Sequence, residues 1–112
     1  MSLDIEEKHI DSDRCVLVLK GRIDAVSAPG LKRRMADLVT AGRKRIILEM
    51  KEISFMDSSG LSALVSGLKS TREVGGNLKL AGLHDQVSTV MRLTMLDRIF
   101  EIFADEASAL KA

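Results

Sequence analysis

Hydrophobic and polar residues follow two different periodicities along this chain, and each periodicity predicts a type of element. Near the N-terminus Leu3 and Ile5 alternate with acidic residues, which predicts a half-exposed edge strand. After a polar turn, residues 15–19 are continuously apolar and rich in β-forming side chains, as in a strand that is covered on both faces. Because the connecting turn is short, we expect the two strands to pair in antiparallel fashion.

The remainder of the chain alternates between apolar runs and segments of helical periodicity. Helices are predicted over residues 27–42, 59–72, 85–91 and 105–111, with Ser27 and Asp85 as N-caps. Strands are predicted over residues 46–48, 53–56, 78–80 and 99–103, and residues 21–24 are expected to lead out of the sheet. This order predicts an α/β domain with a mixed, mostly parallel sheet, an N-terminal antiparallel hairpin and about four covering helices.

Length and charge limit the possible functions. The 112 residues are expected to form a single domain, residues 1–112. Seventeen Lys and Arg against sixteen Asp and Glu give a net charge of +1, so no strong field attracts nucleic acid or a membrane. The basic run 32–34 carries no interleaved aromatic residues and is interpreted as a solvated helix face.

Cysteine usage and hydropathy indicate where the protein resides. The single cysteine, Cys15, has no partner for an internal disulfide, lies in an apolar run and is expected to pack as a small hydrophobe. No apolar stretch approaches the ~18 residues of a membrane span, and the N-terminus has acidic residues where a secretory signal has basic ones. We therefore expect a cytoplasmic protein without a membrane partner.

Enzyme chemistry finds little support in the sequence. The isolated His9 and His84, with Cys15, do not form the ligand cluster of a zinc site. The glycine-rich motifs that hold nucleotide phosphates are absent, and so is the Gly-x-Ser-x-Gly motif of serine hydrolases. No catalytic residue, metal or cofactor is therefore expected.

One stretch, residues 57–60, combines structural and chemical possibilities. Asp57-Ser58-Ser59-Gly60 lies between an apolar strand and a helix, and Asp and Ser side chains cap the free N–H groups of a first helical turn. A hydroxyl at this place also tolerates a phosphate. A further hypothesis makes Asp57 the phosphoacceptor, as in response-regulator receiver domains, but the acidic pair that holds magnesium there has no counterpart after Leu19.

Residues 53–61, Ile-Ser-Phe-Met-Asp-Ser-Ser-Gly-Leu, closely resemble the signature of the bacterial anti-sigma factor antagonists, single-domain members of the STAS superfamily. The resemblance extends over nearly the whole chain. Gly21-Arg22-Ile23-Asp24 matches the family pattern after the second strand, Gly75-Gly76 matches its glycine turn, and residues 93–100 resemble its C-terminal pattern. The resemblance implies a STAS-type fold.

The resemblance also implies a partner-switching function. Family members bind an anti-sigma factor that is also a serine kinase with a histidine-kinase-like ATPase fold; phosphorylation ends binding and a PP2C-type phosphatase restores it. By position, the phosphoacceptor is Ser58, although Ser59 is chemically as available. Asp24, Asp57, Ser59 and Gly60 would contribute to binding the partner kinase, Gly60 by permitting a tight turn.

Two questions stay open at this stage. Met56 and Leu61 flank the motif and could contact a partner or belong to the core. A second functional hypothesis is a STAS scaffold or accessory subunit of a signalling or transport assembly, which would need no reversible serine chemistry. In either case a monomer in the free state is the simplest expectation.

Overall fold

The computed structural model describes residues 3–112, and its N-terminal hairpin confirms the first prediction. Strands β1 (Leu3–His9) and β2 (Arg14–Ile23) pair antiparallel, from Leu3 opposite Gly21 to His9 opposite Cys15. The prediction that residues 21–24 leave the sheet was wrong for the first three of them. On its other side β2 pairs with the strand Arg45–Met56, and two shifts in register, after Val18 and after Gly21, let this pairing continue up to Ile23.

The third strand is longer than predicted. Instead of two short strands, β3 (Arg45–Met56) is one continuous strand of 12 residues. Lys51 and Glu52 interrupt the apolar pattern and are exposed, but Glu52 still pairs with Lys20 of β2. Polar residues on a solvent-facing stretch of a strand do not end it, because the backbone hydrogen bonds continue.

Strands β4 (Asn77–Ala81) and β5 (Glu101–Phe103) complete the sheet, which over residues 3–112 has five strands in the order β1-β2-β3-β4-β5. All neighbouring strands except the first pair are parallel, which confirms the predicted mixed sheet. The last strand is shorter than predicted because the N–H groups of Ile99 and Phe100 donate to the carbonyl oxygen of Leu96, in the 3-10 turn Leu96–Arg98. Phe100 is buried in the core.

Within the described residues, four α-helices cover the sheet: α1 (Ala28–Thr40), α2 (Ser58–Glu73), α3 (Asp85–Leu93) and α4 (Glu106–Lys111). The main core combines buried residues of the first three helices with one face of the sheet, and Cys15 belongs to it as predicted. A smaller cluster on Val16, Ile47 and Ala81 packs against Ala109 of α4. Because side chains alternate along a strand, the two clusters lie on opposite faces of the sheet.

The helix ends follow the sequence only in part. Gly75, with a φ of +79°, makes the left-handed exit predicted after α2. Ser27 precedes α1 but caps it with no side-chain hydrogen bond; its hydroxyl donates instead to the carbonyl oxygen of Arg22, at 2.7 Å. Asp85 is the first residue of α3, and His84 occupies the cap position without a side-chain hydrogen bond.

No helix within residues 3–112 combines the length and the apolar character that a membrane crossing requires.

Candidate functional site

The candidate site lies where β2 and β3 end side by side. Ile23 and Met56, the last residues of the two strands, are paired in the parallel ladder, and the backbone N–H of Asp57 donates to the carbonyl oxygen of Ile23 at 3.2 Å. Asp24 and Asp57 therefore follow neighbouring strands at the same edge of the sheet. The carboxyl edge of parallel strands is where α/β proteins usually place their functional groups.

Asp57 begins α2 as its N-cap. The residue is extended (φ −111°, ψ −168°), and its Oδ1 accepts hydrogen bonds from the N–H groups of Ser59, at 2.9 Å, and Gly60, at 3.2 Å. This confirms the predicted cap and satisfies two of the N–H groups that the helix leaves free. Ser58 becomes the first helical residue and is exposed, whereas Ser59 is half-buried.

Asp24 organises the loop that joins β2 to α1. Its Oδ1 accepts hydrogen bonds from the N–H groups of Val26, at 3.0 Å, and Ser27, at 3.1 Å. The pKa of Asp24 is lowered below its ordinary value, chiefly by the hydrogen bond from the Ser27 N–H. The hydrogen bonds from the Val26 N–H and the Ser27 hydroxyl and the positive charge of Arg22 act in the same direction. The carboxylate is therefore ionised at neutral pH and closes a polar turn beside the cap of α2.

Gly60 has a role different from the tight turn that the resemblance implies. Its φ is not in the left-handed region, because Gly60 lies within the first turn of α2. A Cβ atom at Gly60 would lie 2.4 Å from the Cγ of Met56 and 2.8 Å from the carbonyl oxygen of Ile23. The missing side chain therefore lets α2 approach the ends of both strands.

The two apolar residues that flank the motif belong to the interior. Met56 is completely buried, which excludes a contact with a partner. Leu61 is half-buried and packs against the main core. The partner-contact alternative for Met56 was therefore wrong. Met56 and Leu61 instead attach the motif to the hydrophobic core.

Gln86, which the sequence did not single out, holds the end of β3. The pairing of β3 with β4 ends at Glu49 opposite Ala81, so the last residues of β3 have no strand on that side. The Gln86 side chain of α3 takes this place: its Oε1 accepts from the Met56 N–H at 2.9 Å, and its Nε2 donates to the Met56 carbonyl oxygen at 3.0 Å. No local sequence pattern distinguishes such a glutamine from an ordinary helical surface residue.

A groove of about 440 Å³ runs between α1 and α2 beside Ser58. Its lining consists of small or hydroxyl-bearing side chains and one cation, namely Ala25, Ala28, Pro29, Lys32, Ser58, Ser59, Ser62 and Ala63. Lys32 comes from the basic run that was predicted to be a solvated face. Lys32 is exposed, as predicted, and so is Arg33. Arg33 and Arg34 form ion pairs, with Asp37 at 3.6 Å and with Glu7 at 3.2 Å respectively.

Histidine and metal chemistry have no visible part in the site. His84 is exposed, and His9 is exposed and lies 3.0 Å from a carboxylate oxygen of Glu7. Within residues 3–112, His, Cys, Asp and Glu side chains form no group of three or more that could hold a metal ion. The groups gathered around Ser58 are therefore hydroxyls, backbone N–H groups, two carboxylates and one lysine.

Comparison with known proteins identifies the family. The STAS domain model matches residues 4–109. The anti-sigma-B factor antagonist of Listeria monocytogenes is 36% identical over 104 residues, covering 91% of this chain and 90% of the relative. The structure of the Thermotoga maritima protein TM1081 superposes with a TM-score of 0.90 at 27% identity, covering 96% of this chain and 92% of that one.

The structures of SpoIIAA, an anti-sigma factor antagonist, share the fold. Its unphosphorylated form matches with a TM-score of 0.85 at 21% identity, covering 96% of this chain and 93% of that one. The phosphorylated form of the Bacillus protein matches with a TM-score of 0.77 at 19% identity, covering 96% and 97%. The sequence match over nearly its whole length and the common fold show that this chain belongs to the anti-sigma factor antagonists of the STAS domain family.

Proposed function

We propose that this protein is a partner-switching antagonist whose binding is controlled by phosphorylation of Ser58. In the unphosphorylated form it binds an anti-sigma factor that is also a serine kinase with a histidine-kinase-like ATPase fold. Phosphorylation of Ser58 ends binding, and a PP2C-type phosphatase restores it. The observation that carries the proposal is the exposed Ser58 at the first position of α2, next to the Asp57 side chain that caps this helix.

The structure supports Ser58 over the two other acceptors that the sequence offers. Ser58 is exposed, whereas Ser59 is half-buried. The Asp57 carboxylate already accepts two backbone hydrogen bonds from α2, and its phosphorylation would release them and weaken the helix start. A serine phosphoacceptor leaves this cap intact.

Each of the other motif residues has a proposed part in partner binding. Asp24 and Ser59 lie beside Ser58 and contribute polar groups to the surface that the kinase contacts. Asp57 and Gly60 contribute indirectly, by setting the position of Ser58. Asp57 caps the first turn of α2, and the missing side chain of Gly60 lets that turn pack closely on the strand ends. The protein itself supplies no catalytic group; the reaction belongs to the kinase and the phosphatase.

The reaction adds charge at the centre of the binding surface. The Ser58 oxygen forms a bond to the terminal phosphorus of ATP while the bond from that phosphorus to the bridging oxygen breaks; ADP leaves, and the hydroxyl proton passes to a base of the kinase. The product carries about 1.5 to 2 negative charges at pH 7. If an acidic group of the partner lies ~6 Å away at an effective dielectric constant of ~20, the repulsion is about 4 to 5 kcal/mol.

Substitution of Ser58 tests the switch. We expect Ser58→Asp to weaken binding to the purified anti-sigma kinase by about 100-fold or more, since repulsion of a few kcal/mol corresponds to such a factor. Ser58→Ala should bind like the unphosphorylated protein and stay bound in the presence of ATP and magnesium. Titration calorimetry measures the affinities, and mass spectrometry locates the phosphate after incubation with kinase and ATP.

Ser108→Asp is the matched control, because it adds the same charge on α4, across the sheet from α2. It should leave the affinity unchanged. Equal affinities for wild type, Ser58→Ala and Ser58→Asp would contradict the proposal. A complex that persists when Ser58 carries phosphate would instead support the scaffold function. The proposal places this exchange in the cytoplasm, between a monomeric antagonist and its kinase.

A further inference from the structure

The lining of the groove beside Ser58 contains one positively charged side chain and no negatively charged one. Of the residues that line it, Lys32 alone is charged; three carry hydroxyl groups, and the others are alanines and a proline. The small side chains Ala28 and Ala63 leave open volume between α1 and α2. The lining therefore offers a cation and hydroxyl donors, with no acidic group to oppose an anion.

The two acidic residues nearest the groove are directed elsewhere. Asp57 uses its Oδ1 on the N–H groups of the first turn of α2, and Asp24 uses its Oδ1 within the β2–α1 loop. The other oxygen of Asp24, Oδ2, lies 3.7 Å from the Nε of Arg22. Neither carboxylate lines the groove. Their repulsion of an anion on Ser58 is the same whichever residue occupies position 32, so a comparison of variants at that position isolates the effect of the lysine.

Lys32 differs from its basic neighbours in lacking a carboxylate partner. Arg33 and Arg34 each have one within 4.0 Å, Asp37 and Glu7 respectively. Within residues 3–112, no Asp or Glu oxygen lies that close to the Lys32 ammonium group. Its charge is thus available to a group that arrives in the groove.

We propose that Lys32 is the intramolecular partner of the phosphoryl group on Ser58 and holds it in the groove between α1 and α2. This inference rests on the proposed function, since it assigns a binding site to the phosphate that the function requires. A lysine suits the task because its ammonium group is a compact charge with three donors on a flexible stem, and a phosphoserine presents three strong acceptor oxygens. The hydroxyl of Ser62 lines the same groove and adds a donor.

This assignment predicts how the phosphate titrates. A neighbouring positive charge favours the dianion over the monoanion, so Lys32 lowers the second pKa of the phosphate. At a separation of ~5 Å in a water-like dielectric the shift is about half a pH unit, from a reference value of about 6. The sign is unambiguous, because removing the lysine charge can only raise this pKa.

The experiment uses the 112-residue chain with phosphoserine inserted at position 58 during translation, so that no kinase is needed. The phosphorus NMR signal is titrated from pH 4 to 8 in wild type, Lys32→Gln and Lys32→Arg. We expect the pKa of the phosphate to rise by about half a unit in Lys32→Gln and to stay near the wild-type value in Lys32→Arg. In ~1 M salt the difference should shrink, as expected for a screened ion pair.

Lys69→Gln is the matched control. Lys69 is an exposed lysine of α2 that lines a different groove, with Val65 and Leu68, so its removal subtracts the same net charge at another place. It should leave the titration unchanged. Identical phosphate pKa values in wild type and Lys32→Gln would overturn the inference, as would an equal shift in Lys69→Gln. Because phosphoserine is supplied directly, failure of a kinase to phosphorylate Ser58 would count against the proposed function alone.

Discussion

At the scale of single residues, Gly60 shows how the site depends on the absence of a side chain. A Cβ atom there would lie 2.4 Å from the Cγ of Met56, 2.8 Å from the carbonyl oxygen of Ile23 and 2.9 Å from its Cγ2, closer than real Cβ atoms come to such neighbours. We expect Gly60→Ala to lower the free energy of unfolding by about 1–3 kcal/mol, because the first turn of α2 must move away from the strand ends. Urea denaturation measures the change.

Gly30→Ala is the control for this substitution. Gly30 lies in α1, and nothing approaches within 4 Å of the position of its Cβ. Alanine favours the helix over glycine, so this variant should gain about 0.5–1 kcal/mol. If both variants lost stability equally, close packing would not be the reason for Gly60.

At the scale of elements, α3 supports the strand that carries the motif. Gln86 replaces the missing neighbour of β3 with two hydrogen bonds to Met56, the residue immediately before Asp57. Together with the bond from the Asp57 N–H to Ile23, these contacts hold both sides of the strand end. The position of Ser58 therefore depends on β2, β3 and α3 as well as on α2, the helix that it begins.

Gln86→Ala should loosen this strand end without unfolding the protein. Loss of two hydrogen bonds, each contributing about 1 kcal/mol, should accelerate hydrogen exchange of the Met56 amide by about 10- to 30-fold. Exchange is followed residue by residue by NMR. Ser88→Ala, at another half-buried position of α3, serves as the control and should leave the Met56 amide protected. Unchanged exchange in Gln86→Ala would show that the two bonds do not hold β3.

At the scale of the whole molecule, periodicity predicted the mixed sheet and its four helices, but not the details that complete the site. The extension of β2 past Gly21 and the continuity of β3 through Lys51 depend on pairing between the strands, which local hydrophobicity does not encode. The motif 57–60 was visible because capping is a local interaction. Gln86 was missed because its hydrogen bonds join segments far apart in sequence, and for the same reason the sequence did not reveal that Lys32 lines one groove with Ser58.

A phosphorylation switch also requires that the fold survive the added charge. Ser58 is exposed and lies at the positive end of α2, so a negative charge there should stabilise the helix by about 0.3–1 kcal/mol. We expect Ser58→Asp to have an unchanged or slightly higher free energy of unfolding in urea.

Ser70→Asp, in the last turn of the same helix, is the control. Its free energy of unfolding should fall by a similar amount, because the negative end of the helix dipole lies there. If Ser58→Asp instead lost about 2 kcal/mol or more, its failure to bind the kinase would reflect damage to the fold. Binding that disappears while stability is retained is what distinguishes a switch from a destabilising substitution.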